Sequence, residues 1–126
     1  MDYNFISKNI LIVEDEEVNQ FFFEKALRKT KANLIFVADG LEAINMIKEN
    51  NKIDVVLMDV RLPRMNGFEA TSKIKEIKPE LPIIIQTAYE MSCAMEEAIK
   101  SGCDDFLTKP IDLQTLLSLL HKHLKD

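Results

Sequence analysis

No apolar run in this sequence approaches the ~20 residues needed to cross a bilayer. The N-terminus lacks the charged-then-apolar pattern of a secretory leader. Lys and Arg form no local block and the net charge is −5, which argues against a nucleic-acid binder and against membrane insertion. Cysteine is scarce. Cys93 and Cys103 show no C-x-x-C spacing and have no histidine nearby, so they are expected to be reduced, ordinary residues of a cytoplasmic protein. Internal repeats, low-complexity tracts and linker-like stretches are missing as well. The 126 residues therefore predict one domain, 1–126 with its core at about 9–125, and no effector domain. The two histidines, His121 and His123, stand two apart on a helical pattern and cannot chelate together. Beside Lys122 they suit a helix C-terminus, where positive charge is favourable, and no chemistry is assigned to them.

What is present alternates between two kinds of segment. Short apolar runs rich in β-branched residues stand at Ile10–Val13, Leu34–Val37, Val55–Met58 and Ile83–Ile85, with a weaker one at Phe106–Leu107. Runs apolar at every position predict strands buried on both faces. Helical spacing fills the intervals at Glu16–Thr30, Leu41–Asn50, Phe68–Ile77, Ser92–Ser101 and Asp112–Leu124. In the last of these, Leu113, Leu116, Leu117, Leu120 and Leu124 form one stripe, Gln114, Lys122 and Lys125 face away, and Leu119 is out of phase. In the first, the phase of "QFFFEK" turns Phe22 and Ala26 inward, leaves Phe23 at the margin and puts Phe21 in solvent as a candidate contact. Five strands alternating with five helices predict an α/β domain, a doubly wound parallel sheet with helices on both sides. Right-handed crossovers then leave few topologies.

The polar residues of chemical interest fall at the carboxyl ends of these strands, where ligands bind in folds of this class. "ILIV" ends in Glu14 and Asp15, "VVLM" in Asp59, "IIIQ" in Thr87, and "FLT" in Lys109 followed by Pro110. Neighbouring strands lie about 4.8 Å apart, so the side chains can converge. Two carboxylates at roughly 5 Å repel by about 3 kcal/mol at an effective dielectric of 20. Three acids with one Lys109 either keep a proton or hold a hard divalent cation, and Mg²⁺ (or Mn²⁺) suits carboxylate oxygens. Asp59 then becomes a metal-supported nucleophile flanked by an ammonium and a hydroxyl, which suits transfer of a phosphoryl group onto a carboxylate. Taken singly, Glu14 and Asp15 read as a helix start and Asp59 as a turn residue. Their joint placement carries the reading.

With these residues in place the sequence resembles the receiver domain of two-component response regulators, a CheY-like module. The motifs are "ILIVEDEE", "VVLMDVRLPRMNGFEA", "IIIQTAY" and "DDFLTKPI", and they span essentially the whole chain. The resemblance implies a flavodoxin-like (βα)5 fold with strand order 2-1-3-4-5. It implies that Asp59 accepts the phosphoryl group and that Asp15, Asp59 and the Arg61 main-chain carbonyl ligate Mg²⁺, with Glu14 acting partly through water. Thr87 and Lys109 would hold phosphoryl oxygens, the Lys109–Pro110 bond would be cis, and Phe106 would occupy the switch-aromatic position. Arg61 and Tyr89 would border the path of hydrolytic water, and their bulk predicts slow loss of the phosphoryl group. A histidine kinase or histidine phosphotransfer protein would be the donor, docking over the first helix near Phe21. The surface of the fourth helix, fifth strand and fifth helix would then select a downstream protein. No multiple-turnover substrate is expected.

Three other readings are weaker. An aspartyl-nucleophile phosphatase wants a second acid two residues after the nucleophile, and position 61 is arginine. A flavin mononucleotide site needs a Ser/Thr/Gly-rich loop after the first strand, where "EDEEVNQ" is acidic. A phosphorylation-independent pseudo-receiver would not need the full set of site residues found here. The same motifs serve a stand-alone regulator and a receiver within a hybrid histidine kinase, with "QTAYEMS" resembling the latter.

Overall fold

The computed structural model describes residues 3–49, 52–88 and 92–125. Its elements are β1 (Asn9–Val13), α1 (Glu17–Leu27), β2 (Asn33–Val37), α2 (Gly40–Glu49), β3 (Val55–Asp59), α3 (Gly67–Ile77), β4 (Ile83–Thr87), α4 (Ser92–Ser101), β5 (Asp105–Thr108) and α5 (Leu113–Leu124). The strands form one five-stranded sheet in the order β2-β1-β3-β4-β5, with every pairing parallel. This is the expected flavodoxin-like topology.

Alternation along each strand builds two cores from one sheet. Leu11, Val13, Val56, Met58, Ile83 and Ile85 face α2, α3 and α4, where Ala43, Ile44, Ile47, Ala70, Ile74 and Ala98 meet them. Ile10, Ile12, Val55, Leu57 and Ile84 face α1 and α5, against Phe23, Leu27, Leu116, Leu120 and Leu124. The central strands β3 and β4 are buried at every position. That is why their sequence shows continuous apolar runs with no alternation.

The helix ends follow local chemistry. The Asn66 side chain accepts the Glu69 N–H at 2.9 Å to start α3, and Asp112 accepts the Thr115 N–H at 2.9 Å to start α5. The first helix is shorter than its pattern. Arg28–Thr30 tighten into a 3₁₀ turn, and Lys31 ends it at φ 66° with its N–H on the Arg28 carbonyl.

Two phase expectations are corrected. Phe23 is 1% exposed and anchors the core with Leu27 four residues on, whereas Phe22 is 38% exposed and Phe21 58%. The Phe23–Leu27 pair fixes the helix rotation, and that turns Phe22 outward by about 100°. On α5, Leu119 is half-buried against the core while Leu113 is exposed. Leu113 and Leu120 are seven residues apart and share a phase, so Leu113 is exposed by its place in the first turn rather than by rotation.

At the amino edge of the sheet the chain closes on itself. Phe5 is buried and donates its N–H to the Thr30 carbonyl at 2.7 Å, and the Tyr3 ring packs 5.4 Å from that of His121. His123 was assigned no role, yet its Nε2 lies 2.5 Å from Asp105 Oδ2, with Lys122 Nζ at 3.1 Å. Cys103 is unpaired, and burial pushes its thiol pKa up, which suits an unreactive residue. The side chain of Cys93 lies outside the described residues.

Partial burial would raise the Asp105 carboxyl, but hydrogen bonds from His123 and Lys122 outweigh it and hold the pKa below its ordinary value of 3.8. A depressed folded pKa gives stability that is complete above the ordinary value and is lost as pH falls through the folded one. Asp105→Asn is therefore expected to lose roughly 0.5–1 kcal/mol at neutral pH. In urea denaturation the gap from wild type should close as the pH is lowered below 3.8.

Candidate functional site

Two strand ends supply the three acids. Glu14 follows β1 directly and is fully buried, Asp15 beside it is exposed, and Asp59 closes β3 at 3% exposure. A carboxylate oxygen from each lies within 4.8 Å of the others. Lys109 Nζ reaches Asp59 Oδ1 at 3.2 Å, and the Arg61 N–H approaches the same oxygen at 3.4 Å. Thr87 ends β4, buried, one residue beyond Gln86, the register partner of Asp59. Its carbonyl accepts the Lys109 N–H at 2.7 Å, which ties the lysine loop to β4. The Lys109–Pro110 bond is cis. Phe106 is half-buried on β5, packed against the α2–α3–α4 core. Tyr89 lies outside the described residues.

The charges do not balance, since one ammonium faces three carboxylates. Burial pushes the Glu14 carboxyl above its ordinary value and the Asp59 charge adds to the rise, while the Glu16 N–H, Asn19 and Lys109 oppose it. Glu14 Oε2 accepts from the Glu16 N–H at 3.1 Å and from Asn19 at 3.3 Å. Glu14 Oε1 is buried and finds no hydrogen-bond partner among the described residues. A hard cation answers both facts. Mg²⁺ takes carboxylate oxygens as ligands, and three lie within 4.8 Å of one another, so the donor set fits that metal.

The loop after β3 is tied back to the start of α2 by Arg64. Arg64, at φ 65°, bonds the buried Asp39 through Nε at 3.0 Å and also through Nη2. Asp39 in turn accepts the Glu42 N–H at 2.8 Å, and Glu42 reaches back to the Ala38 N–H at 3.1 Å. The Glu42 N–H, with Arg64, holds the Asp39 carboxyl below its usual range despite its burial. An acid followed three residues later by glutamate is a capping-box signature, so this cap was legible in "DGLE"; its grip on Arg64 was not. Asn19 and Gln20 carry no sequence signal, yet Gln20 Nε2 donates to the Glu14 carbonyl at 2.7 Å and steadies the acidic turn.

Gly67 seats α3 against the acceptor strand. A Cβ there would lie 2.0 Å from the Asp59 carbonyl oxygen and 2.9 Å from Val60 Cα. The Gly67 N–H meanwhile donates to the Val60 carbonyl at 2.9 Å. Backbone occupies that space, so only glycine fits.

The family model for the response regulator receiver domain matches residues 10–121. The chain belongs to this family. The receiver is 30% identical over 123 residues to the polar-differentiation response regulator DivK of Brucella ovis, covering 96% of this chain and 99% of DivK. It is 34% identical to a probable histidine kinase 6 of Oryza sativa subsp. japonica, covering 88% of this chain but only 14% of that kinase. Among solved structures, the receiver domain of sensor histidine kinase PA1611 from Pseudomonas aeruginosa has TM-score 0.87 and 33% identity, covering 95% of this chain and 99% of its own; it was solved with magnesium in its active-site cleft. The receiver domain of Ssk1 from Saccharomyces cerevisiae, crystallised with the histidine phosphotransfer protein Ypd1, has TM-score 0.86 and 30% identity, covering 94% of this chain and 90% of its own. The receiver is thus a two-component signalling module. Among its described residues no helix is long and apolar enough to cross a membrane.

Gly67→Ala is expected to cost at least roughly 1–3 kcal/mol through overpacking. Because the clash falls on the Asp59 carbonyl, a Mg²⁺ titration followed by intrinsic fluorescence or NMR should also show weakened binding.

Proposed function

We propose that the receiver accepts a phosphoryl group on Asp59 from a phosphohistidine donor and passes the change to a second surface. The observation that carries this is Asp59 itself: a buried carboxylate at a strand end, within 4.8 Å of two further acids and 3.2 Å from an ammonium. A carboxylate oxygen of Asp59 attacks phosphorus, the P–N bond to the donor imidazole breaks, and the imidazole leaves with its electron pair and takes up a proton. The product is an acyl phosphate. Glu14, Asp15, Asp59 and the Arg61 carbonyl would hold Mg²⁺, which when bound offsets negative charge on the phosphoryl oxygens. Lys109 would turn from Asp59 to one phosphoryl oxygen, and the Thr87 hydroxyl would bond another.

Phe106 supports a switch. Cavities of about 320 and 340 Å³ flank it, and Met95 of α4 lines both. The ring therefore has room to move, and exposed Met95 and Ile99 lie beside it. Movement of Thr87 toward the phosphoryl group would draw Phe106 inward and reshape the α4–β5–α5 face for a downstream protein, as a shift between two populations. A donor would approach over α1, where Val18 and Phe21 are exposed.

Incubation with acetyl phosphate and Mg²⁺ is expected to add one phosphoryl group to the wild type and none to Asp59→Ala, read by intact mass. Mg²⁺ alone should raise the thermal midpoint of the wild type and leave that of Asp59→Ala unmoved. Labelling that survives in Asp59→Ala would refute the assignment.

Arg61 is exposed beside Asp59, and the family resemblance puts Tyr89 with it on the path of hydrolytic water. Their bulk should keep the phosphoaspartate for many minutes. The double variant Arg61→Ala, Tyr89→Ala is expected to lose it severalfold faster when decay is followed by mass after removal of the donor.

A further inference from the structure

One buried group takes no part in this scheme. Gln86 is the register partner of Asp59 on one side and of Leu107 on the other. It shares the sheet face of Ile84, beneath α1 and α5. Its side chain is 1% exposed, yet neither Oε1 nor Nε2 finds a hydrogen-bond partner among the described residues. A buried amide left unpaired is destabilising. Gln86 lines a cavity of about 390 Å³ with Val18, Asn19, Phe22, Phe23 and Lys109. Apolar walls with a few polar groups are the usual make-up of a binding pocket.

The cavity shares Lys109 with the Asp59 site, and it opens among side chains of α1 that are exposed: Val18 at 80% and Phe22 at 38%. A protein that brings a phosphohistidine to Asp59 must cover this mouth. Charge narrows what it can insert. Lys109, the charged group among the described lining residues, repels a cation and is already paired with Asp59 at 3.2 Å, so neither sign of charge finds a free counter-ion there. Gln86 offers one donor and one acceptor side by side, which another carboxamide matches with two reciprocal bonds.

We propose that Gln86 is a specificity-determining residue, and that its carboxamide pairs with an Asn or Gln side chain inserted from the contacting surface of the phosphohistidine donor. The proposal rests on Asp59 being the phosphoacceptor. Phe22 forms the outer wall and turns aside to admit the side chain.

The test compares wild type, Gln86→Leu and Gln86→Met, the last keeping an unbranched chain should leucine fail to fold. Propanamide is the probe for the pocket. It should give saturable amide shifts at Asn19, Phe22, Phe23 and Gln86 in the wild type, at least fivefold weaker in the variants. Absent shifts, or equal ones in the variants, overturn the proposal. A histidine phosphotransfer protein selected because it phosphorylates the wild type is the probe for the occupant. The half-saturating receiver concentration should rise at least fivefold in the variants with the maximal rate within twofold, while acetyl phosphate labels all three alike. Propanamide binding with unchanged transfer kinetics would assign the pocket to a free carboxamide ligand and overturn the donor assignment. Failure of acetyl phosphate to label wild-type Asp59 would instead remove the phosphoacceptor reading, whatever propanamide does.

Discussion

Mutual repulsion among Glu14, Asp15 and Asp59 governs the carboxyl edge of the sheet. At a spacing within 4.8 Å two fully ionised carboxylates repel by about 3.5 kcal/mol at an effective dielectric of 20, and by less where solvent reaches the exposed Asp15. The parallel register holds the acids together regardless, because β1 and β3 are locked by apolar side chains on both faces. Apolar packing thus stabilises the arrangement that the charges oppose. Surrounding polar groups then limit the damage. Lys109 neutralises part of the field, Asn19 and the Glu16 N–H take one oxygen of Glu14, and the acid left over is the feature a divalent cation would use.

The same logic separates rigid parts from movable ones. Gly67, Asn66 and the Asp39–Arg64 pair pin the loop after β3, so the Asp59 backbone has little freedom. Phe106, between two cavities and only half-buried, is held far less tightly. A rigid Asp59 beside a loosely held ring is the division of labour that the proposed two-state switch would use.

Fold and site were legible to different depths. Strand identity followed from short apolar runs, clearest in the fully buried β3 and β4, whereas the strand order came only with the family resemblance. The convergence of Glu14, Asp15, Asp59 and Lys109 followed from parallel strands ending in polar residues, a matter of topology alone. Helix rotation was less secure. Three consecutive phenylalanines present nearly equal hydrophobicity in every direction, so only the packing of Phe23 over Leu27 could decide the phase. Long-range polar pairs were out of reach: nothing local links Arg64 to Asp39, 25 positions apart, or His123 to Asp105. Gln86 looked like one more strand residue because its distinction is the absence of a partner among the described residues, which a sequence cannot display.

The contact between Tyr3 and His121 joins the beginning of the chain to its last helix at the amino edge of the sheet. Each strand spans five residues or so, about 16 Å, and the acids occupy the far pole. Any polypeptide tethered to either end would leave from the pole remote from Asp59. Fusion partners on both sides would therefore leave Asp59 open to a visiting protein.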